Sequence, residues 1–437
     1  MKHLRMLILL TVFISIVLSI GILGCSGSTT PYDPNNDPNQ SPPLPPSSLS
    51  AVAVSLTEIR LTWRDRSSNE SGFELFESVD SDTNFSLIQR TNQNVEIYVF
   101  NGKSRDHDYY YKIRAINEFG ASRFTDQVTV TGGALILTID SGDSPVLSLA
   151  YSPQGNYIIA GCGDYRVRRY DARSGEMLQK LEGHTNLVYG IAYSPDSTRW
   201  ASGSDDETIM VWSMLNHRLE WTLYDDDMGA VRSMEFSYDG RYLAALSGYV
   251  YIWDMETGDL AYKIGDEESG GVGSFAYHPD GRHMILSLDN KIQIWEPGIV
   301  DSALLGRRSI YHMGRFTISP DGEYLAGVSN SNIVVMQIIN NNGELDIDTT
   351  AVVASLTESD GGHTDAIYAL DFSPDGLYLA SGSRDDNVKV WDAVNFTLLA
   401  TMDAHDVAVY CLAFSSSGVH LATGGGDTNI KIWSTFF

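Results

Sequence analysis

The stretch that decides the fold is "SPDGLYLASGSRDDNVKVWD", residues 373–392. Its first four residues carry Pro at the second position and Gly at the fourth, which suits a tight type I turn. An apolar run follows, then the polar turn "SRDDN", then a second strand pattern ending in Trp391 and Asp392. A lone hairpin of this kind cannot bury its apolar faces, so everything depends on whether it recurs.

It recurs throughout the last 305 residues. The tetrapeptides "SPQG", "SPDS", "SYDG", "HPDG", "SPDG", "SPDG" and "SSSG" begin at 152, 194, 237, 278, 319, 373 and 415. Their spacings are 42, 43, 41, 41, 54 and 42 residues, a period that signals propeller blades of four strands. Apolar residues precede each turn with steps of three and then two, as in Val146, Leu149 and Tyr151 or Ile367, Leu370 and Phe372. A flat strand keeps an even step, so the step of three predicts a bulge in each innermost strand. The 54-residue spacing predicts a loop insertion near "NNNGELDIDTT" in the fifth repeat. The last repeat carries three strands, and "ALILTID", residues 134–140, is a lone strand ahead of the first. Pairing the two completes a seventh sheet and removes an open edge.

After each turn comes a version of "LASGSRDDNVKVWD", and here the chain resembles the WD-repeat β-propeller family. That family's hydrogen-bonded tetrad of His, Ser or Thr, Asp and Trp occurs three times with steps of 18, 4 and 6 residues. The sets are His184, Ser202, Asp206 and Trp212; His363, Ser381, Asp385 and Trp391; and His405, Thr423, Asp427 and Trp433. Their recurrence with a Trp marks them as structural and not as a hydrolase triad, since each buried polar group finds a partner in the set. The first repeat has Ala160 and Tyr170 in place of Ser and Trp, and the fifth has Met336 in place of Trp.

Residues 46–132 read differently, as seven short strands, a β-sandwich count. Ile59, Leu61 and Trp63 share one face of "IRLTW", and "YYYKIRA" begins with Tyr109. This segment resembles a fibronectin type III domain, which places Trp63 at its core tryptophan and Tyr109 at its tyrosine corner. The expected fold is all-β: a sandwich followed by a seven-bladed propeller, residues 133–437, closed by its terminal strands.

Ahead of both lies a basic tip, Lys2 and Arg5, then eighteen uncharged residues, then Gly24 and Cys25. A transmembrane helix and a secretory signal both fit the apolar run. Ile22-Leu23-Gly24-Cys25 resembles the bacterial lipobox, which implies a signal peptide over 1–24 and acylation of Cys25. The resemblance implies an extracytoplasmic protein held to the membrane by lipid, the outer membrane being favoured because Ser26 and not Asp follows the Cys. Acyl chains contribute about 0.8 kcal/mol per buried methylene, so two or three give stable anchoring. Residues 25–45, rich in Pro, Asn and Ser, read as a semi-rigid solvated tether.

Composition narrows the function. Net charge is −27, and without the first 24 residues 27 basic face 56 acidic ones, or −29. Such a surface repels phosphate backbones, so nucleic acid is excluded as a partner. Three cysteines form no disulfide framework; Cys162 and Cys411 fall in apolar strands on neighbouring repeats, where a bridge is conceivable. No complete phosphate-binding loop, zinc-binding pair or nucleophile elbow occurs, and no cofactor is called for. His107, His217, His278, His283, His312 and His420 are scattered without ligand spacing, and the acidic runs 225–227 and 266–268 read as solvated loops, with calcium as an alternative.

In the family, the residue after the first apolar position of the inner strand often faces the ligand-binding rim. Here these are Leu147, Tyr189, Arg232, Gly273, Gly314, Tyr368 and Tyr410; the position before the tetrad Asp adds Arg384 and Asp205. Tyr and Arg are preferred anchors of protein interfaces. The expectation is a non-enzymatic binding platform for a protein partner, with an envelope glycan as the alternative ligand. A propeller hydrolase or lyase would need converging carboxylates or a metal in the central channel.

Overall fold

The computed structural model describes residues 41–55, 58–103, 107–130, 135–265, 272–288, 291–296, 304–309, 314–341 and 344–435. The leader, Cys25, most of the tether, the acidic run 266–268 and His312 lie outside the described residues. Nearly all elements are strands. Among the described residues no helix is long and apolar enough to cross a membrane.

Two antiparallel sheets form the first unit. One orders Ser47–Ser55, Glu58–Arg64 and Ile97–Asn101; the other is built on Gly72–Val79, Ser86–Asn92 and Tyr109–Asn117, with Gly120–Ala121 and Val128–Thr129 along one side. Period-two alternation turns Ile59, Leu61 and Trp63 inward against Phe73, Leu75, Tyr109, Tyr111 and Ile113. Of the described tether residues, Ser41, Pro42 and Leu44 are exposed as a solvated tether requires, while its last turn is seated on the first unit. Pro43 and Pro46 are buried, and the Ser41 carbonyl accepts hydrogen bonds from the side-chain amides of Asn69 (3.1 Å) and Asn117 (2.9 Å).

Among the described residues seven four-stranded antiparallel sheets follow, the first six with their strands in chain order from the centre outward. Their innermost strands are Val146–Tyr151, Val188–Tyr193, Ser233–Phe236, Val272–Tyr277, Phe316–Ile318, Ile367–Phe372 and Val409–Phe414, and these define blades one to seven. Each innermost strand touches the next, and the seventh touches the first. The seventh sheet takes its outermost strand from Leu135–Asp140, which pairs with Asn429–Ser434 from Asn429↔Asp140 to Trp433↔Leu135.

The apolar residues sort into one buried cluster per junction between blades. Val231, Met234 and Leu243 of blade three pack with Val211 and Leu223 of blade two; Ile139 and Ile430 of blade seven pack with Val146 and Ile158 of blade one. The remaining five junctions are filled in the same manner. Cys162 and Cys411 lie together in the cluster at the closure as free, buried thiols.

Bulges account for the three-residue step. In blades one, two, four, six and seven the register skips one residue of the inner strand: Leu147, Tyr189, Gly273, Tyr368 and Tyr410. The fifth blade corrects another expectation. Its extra residues are not a loop: they lengthen the two outer strands, Asn332–Asn341 and Glu344–Leu356, into one long hairpin. The alternation in "ELDID" explains this, because Leu345 and Ile347 turn onto the cluster between blades four and five and are buried there.

Candidate functional site

The three tetrads have one geometry. In blade two, Trp212 Nε1 donates to Ser202 Oγ (3.1 Å); Ser202 Oγ and His184 Nε2 are 2.8 Å apart, and His184 Nδ1 and Asp206 are 2.9 Å apart. The distances in blade six are 3.3, 2.8 and 2.9 Å, and in blade seven 2.9, 2.8 and 2.8 Å. One proton arrangement satisfies all of them with the imidazole uncharged. Indole donates to hydroxyl, hydroxyl donates to Nε2, and a neutral imidazole donates from Nδ1 to the carboxylate. Burial pushes the carboxyls of Asp206, Asp385 and Asp427 up, but the hydrogen bonds they accept outweigh it and hold all three below the usual range. Burial likewise holds the His405 imidazole down, against the pull of Asp427, which keeps it neutral. Ser202, Ser381 and Thr423 are fully buried, so no substrate reaches these hydroxyls.

Other blades replace the set in ways the sequence did not disclose. In blade one, Gly142 stands 22 residues before Asp164, where the tetrads have His. Arg168 fills that space: its guanidinium is 3.7 Å from where a Cβ on Gly142 would sit, and it donates to both Asp164 oxygens (2.9 and 2.6 Å). In blade four, Trp295 Nε1 donates to Gln293 Oε1 (3.0 Å). In blade three, Trp253 Nε1 is buried with no partner, because Ala245 occupies the serine's register position. Two of the scattered histidines also meet: His283 Nδ1 donates to Asp280 Oδ2 (2.5 Å), and the Asp280 N–H donates to His278 Nδ1 (3.2 Å). Burial raises the Asp280 carboxyl, but its bonds to His283 and Arg282 bring it to about 2. The set ties down a turn. Among the described residues no group of three or more His, Cys, Asp or Glu side chains could hold a metal ion.

The rim residues fall into two groups on the face that carries the bulges. Tyr368 and Tyr410, on adjacent blades, have ring centroids 5.8 Å apart at 37°. Arg384 stands beside this pair's blade, Nε 3.8 Å from Asp365. Across the ring, the Arg232 guanidinium lies 4.5 Å from the centre of the Tyr189 ring and forms a 3.0 Å ion pair with Asp205 that falls short of hydrogen-bond alignment. Leu147 joins Tyr189 and Arg232 around the mouth of the central channel. Gly273 and Gly314 present no side chain there.

Inside the channel the structure shows charged groups that sequence reading missed. Each innermost strand places its next-to-last residue on the same level: Ala150, Ala192, Glu235, Ala276, Thr317, Asp371 and Ala413. Glu235 and Asp371 line one cavity of about 480 Å³ together with Thr317, Tyr238 and Arg315. Burial pushes the Glu235 carboxyl up to about 8, partly offset by the Tyr277 N–H that donates to Oε2 (3.0 Å) and reinforced by the charge of Asp371. Burial likewise brings Asp371 to about 7, against hydrogen bonds from the Phe372 N–H and from the Thr317 hydroxyl, 3.5 Å away. The signal was available: in aligned repeats this position is Ala four times, so a Glu and an Asp stand out.

The repeat family described as "WD domain, G-beta repeat" matches residues 133–171, 175–213, 219–254, 260–296, 353–392 and 396–434, more than half of the chain. The chain belongs to that family, whose propellers typically serve as protein interaction platforms. Most of the irregular fifth blade falls in the unmatched segment 297–352. Intraflagellar transport protein 122 homolog of Xenopus tropicalis is 39% identical over 87 residues, 20% of this chain and 7% of that protein. The Mus musculus homolog is 38% identical over 93 residues, 21% and 8% of the two chains. Serine-threonine kinase receptor-associated protein of Bos taurus is 34% identical over 76 residues, 17% of this chain and 22% of that one. The chain thus spans less than a quarter of each of these relatives.

Two expected outcomes follow from these shifts and gaps. Glu235 and Asp371 have folded values above their ordinary 4.5 and 3.8, so the folded state holds more protons than the unfolded one between roughly pH 4 and 8. Their contribution is complete below that window and declines through it, so melting temperature should fall from pH 5.5 to 8.5, and Glu235→Gln with Asp371→Asn should flatten that slope. Below pH 4 the tetrad aspartates, whose values are lowered, reverse the trend. Ala245→Ser should give Trp253 Nε1 an acceptor and raise stability by about 1 kcal/mol in denaturant unfolding; a loss of stability would show the indole to be satisfied as it stands.

Proposed function

We propose that the chain is a non-enzymatic, lipid-anchored binding scaffold of a bacterial cell envelope, and that its propeller captures a protein partner on the bulged face. The observation that carries the reading is the grouping of Tyr368 with Tyr410 and of Tyr189 with Arg232 around one channel mouth. Aromatic and arginine side chains give the largest contact energy per residue at interfaces, and stacking pre-orders them, which lowers the entropy lost on binding. The propeller family supports a platform in general terms. The relatives above match 76 to 93 residues of this chain, so they bear on only a part of it.

The anchor rests on residues 22–25 and the basic tip before them. Residues 46–132, as a fibronectin type III-like domain, act as a spacer or a second adhesive module between anchor and propeller. An enzymatic reading gains the converging carboxylates it required, Glu235 and Asp371. Their hydrogen bonds favour a structural role instead, because Glu235 ties blade three to the backbone of blade four and Asp371 meets Thr317 of blade five.

Tyr368→Ala combined with Tyr410→Ala should abolish partner capture from native envelope while leaving thermal unfolding unchanged; undiminished capture overturns the surface assignment. Cys25→Ser should remove labelling by palmitate, and the unsubstituted protein should carry the label with its amino terminus at Cys25. An unlabelled unsubstituted protein that keeps residues 1–24 would instead make the apolar run an uncleaved anchor.

A further inference from the structure

One level of the channel wall holds a residue unlike its six counterparts. Blades one to four, six and seven place Ser148, Gly190, Ser233, Ser274, Ala369 and Cys411 there, all small. Blade five places Arg315. The same guanidinium-bearing residue walls both compartments of the channel: the lower cavity with Glu235 and Asp371, and an upper one of about 110 Å³ under Leu147, Tyr189 and Arg232. Among the described residues no carboxylate forms an ion pair with Arg315 and no side-chain hydrogen bond is made to it. Its side chain stays exposed to the channel solvent, and it lines the upper compartment together with Cys411 of blade seven. Other arginines of this chain near the mouth are matched, Arg232 by Asp205 and Arg384 by Asp365.

A guanidinium that faces the channel solvent with no counter-charge beside it is free to pair with an incoming anion. The guanidinium fork is shaped for planar oxyanions, above all carboxylate. Space limits the choice further. A dry cavity of roughly 150 Å³ just admits benzene, so the upper compartment accepts a carboxylate with a methylene or two and no sugar ring. The net charge of −27 repels free anions at long range, which favours an anion delivered on a chain that gains contacts elsewhere. Those contacts are at hand: Tyr189 lines the compartment itself, and Tyr368 and Tyr410 directly precede its lining residues Ala369 and Cys411.

We propose that Arg315 is the anchor for a carboxylate side chain, Glu or Asp, on an extended segment of the partner that enters the channel from the bulged face. The proposal rests on that face being the binding surface, and it adds the chemistry of the residue that goes deepest.

The test uses the purified full chain and two blocked peptides, acetyl-Gly-Glu-Gly-amide and acetyl-Gly-Gln-Gly-amide, with inorganic phosphate as a third probe, each titrated by calorimetry at low salt. The glutamate peptide should bind at least tenfold more tightly than the glutamine one, and Arg315→Met should remove that preference. Arg315→Lys, which keeps the charge and the bulk, should retain part of it and covers the case in which the Met variant does not fold. Equal binding of the two peptides, or a preference that survives Arg315→Met, overturns the proposal; so does tighter binding of phosphate than of the glutamate peptide. The Tyr368→Ala and Tyr410→Ala variant separates the two readings. If it still captures the partner while the glutamate preference depends on Arg315, the rim assignment falls and the anchor stands.

Discussion

Every blade of the propeller buries its two faces only against its neighbours. That constraint governs the rest of the chain. The apolar residues do not form one central core; they form seven clusters, one at each junction, and each blade contributes to two of them. A row of sheets built this way ends in two exposed faces and two open edges. Closing the row covers both faces, and the pairing of Leu135–Asp140 with Asn429–Ser434 fixes the join by backbone hydrogen bonds as well as by the packing of Ile139 and Ile430. The most distant parts of the repeat region in sequence are thereby among its firmest contacts, at the cost of a slow, non-local step in folding.

Polar groups inside such a ring have little freedom, and the tetrads show how they are managed. Trp, Ser or Thr, His and Asp are set in donor order, so each proton has one place to go and the chain of bonds ends on an ionised carboxylate near the surface. Where the set decays, the replacements follow the same rule. Arg168 takes the imidazole's room beside Asp164, and Gln293 takes the hydroxyl's role beside Trp295. Two groups are exceptions: the Tyr170 hydroxyl in blade one, and the Trp253 indole in a blade whose hairpin turn is shortened at Gly248.

What could be read from the residues alone divides along the same line. The period, the blade count, the closing strand and the tetrad partners were legible, because each is a local pattern repeated in register. The hairpin of blade five was not. Its "NNNGELDIDTT" carries turn residues, and whether Leu345 and Ile347 make strand or loop depends on the neighbouring blade offering them an apolar surface. The seating of Pro43 and Pro46 was missed for the same reason. The rim positions were nameable by offset, yet the pairing of Arg232 with Tyr189 across two blades needed the ring itself. The channel groups were hardest. Glu235, Asp371 and Arg315 lie 56 to 136 residues apart in the chain, and only the circular arrangement brings their levels to one axis.

That axis gives the channel a direction. Small side chains line most of it, so any long or charged residue necessarily projects into the lumen and dominates the field there. One end carries Arg315 below aromatic side chains raised by bulges; the other carries two carboxylates that burial raises toward neutral pH. The bulge is what links scaffold to surface. An extra residue in the inner strand costs one ladder hydrogen bond, but it swings Tyr189, Tyr368 and Tyr410 out of the inter-blade packing and onto the face. The fold therefore supplies a rigid ring of presentation points that no junction needs for its own stability. Substitution at those points changes what is recognised while the seven clusters stay intact.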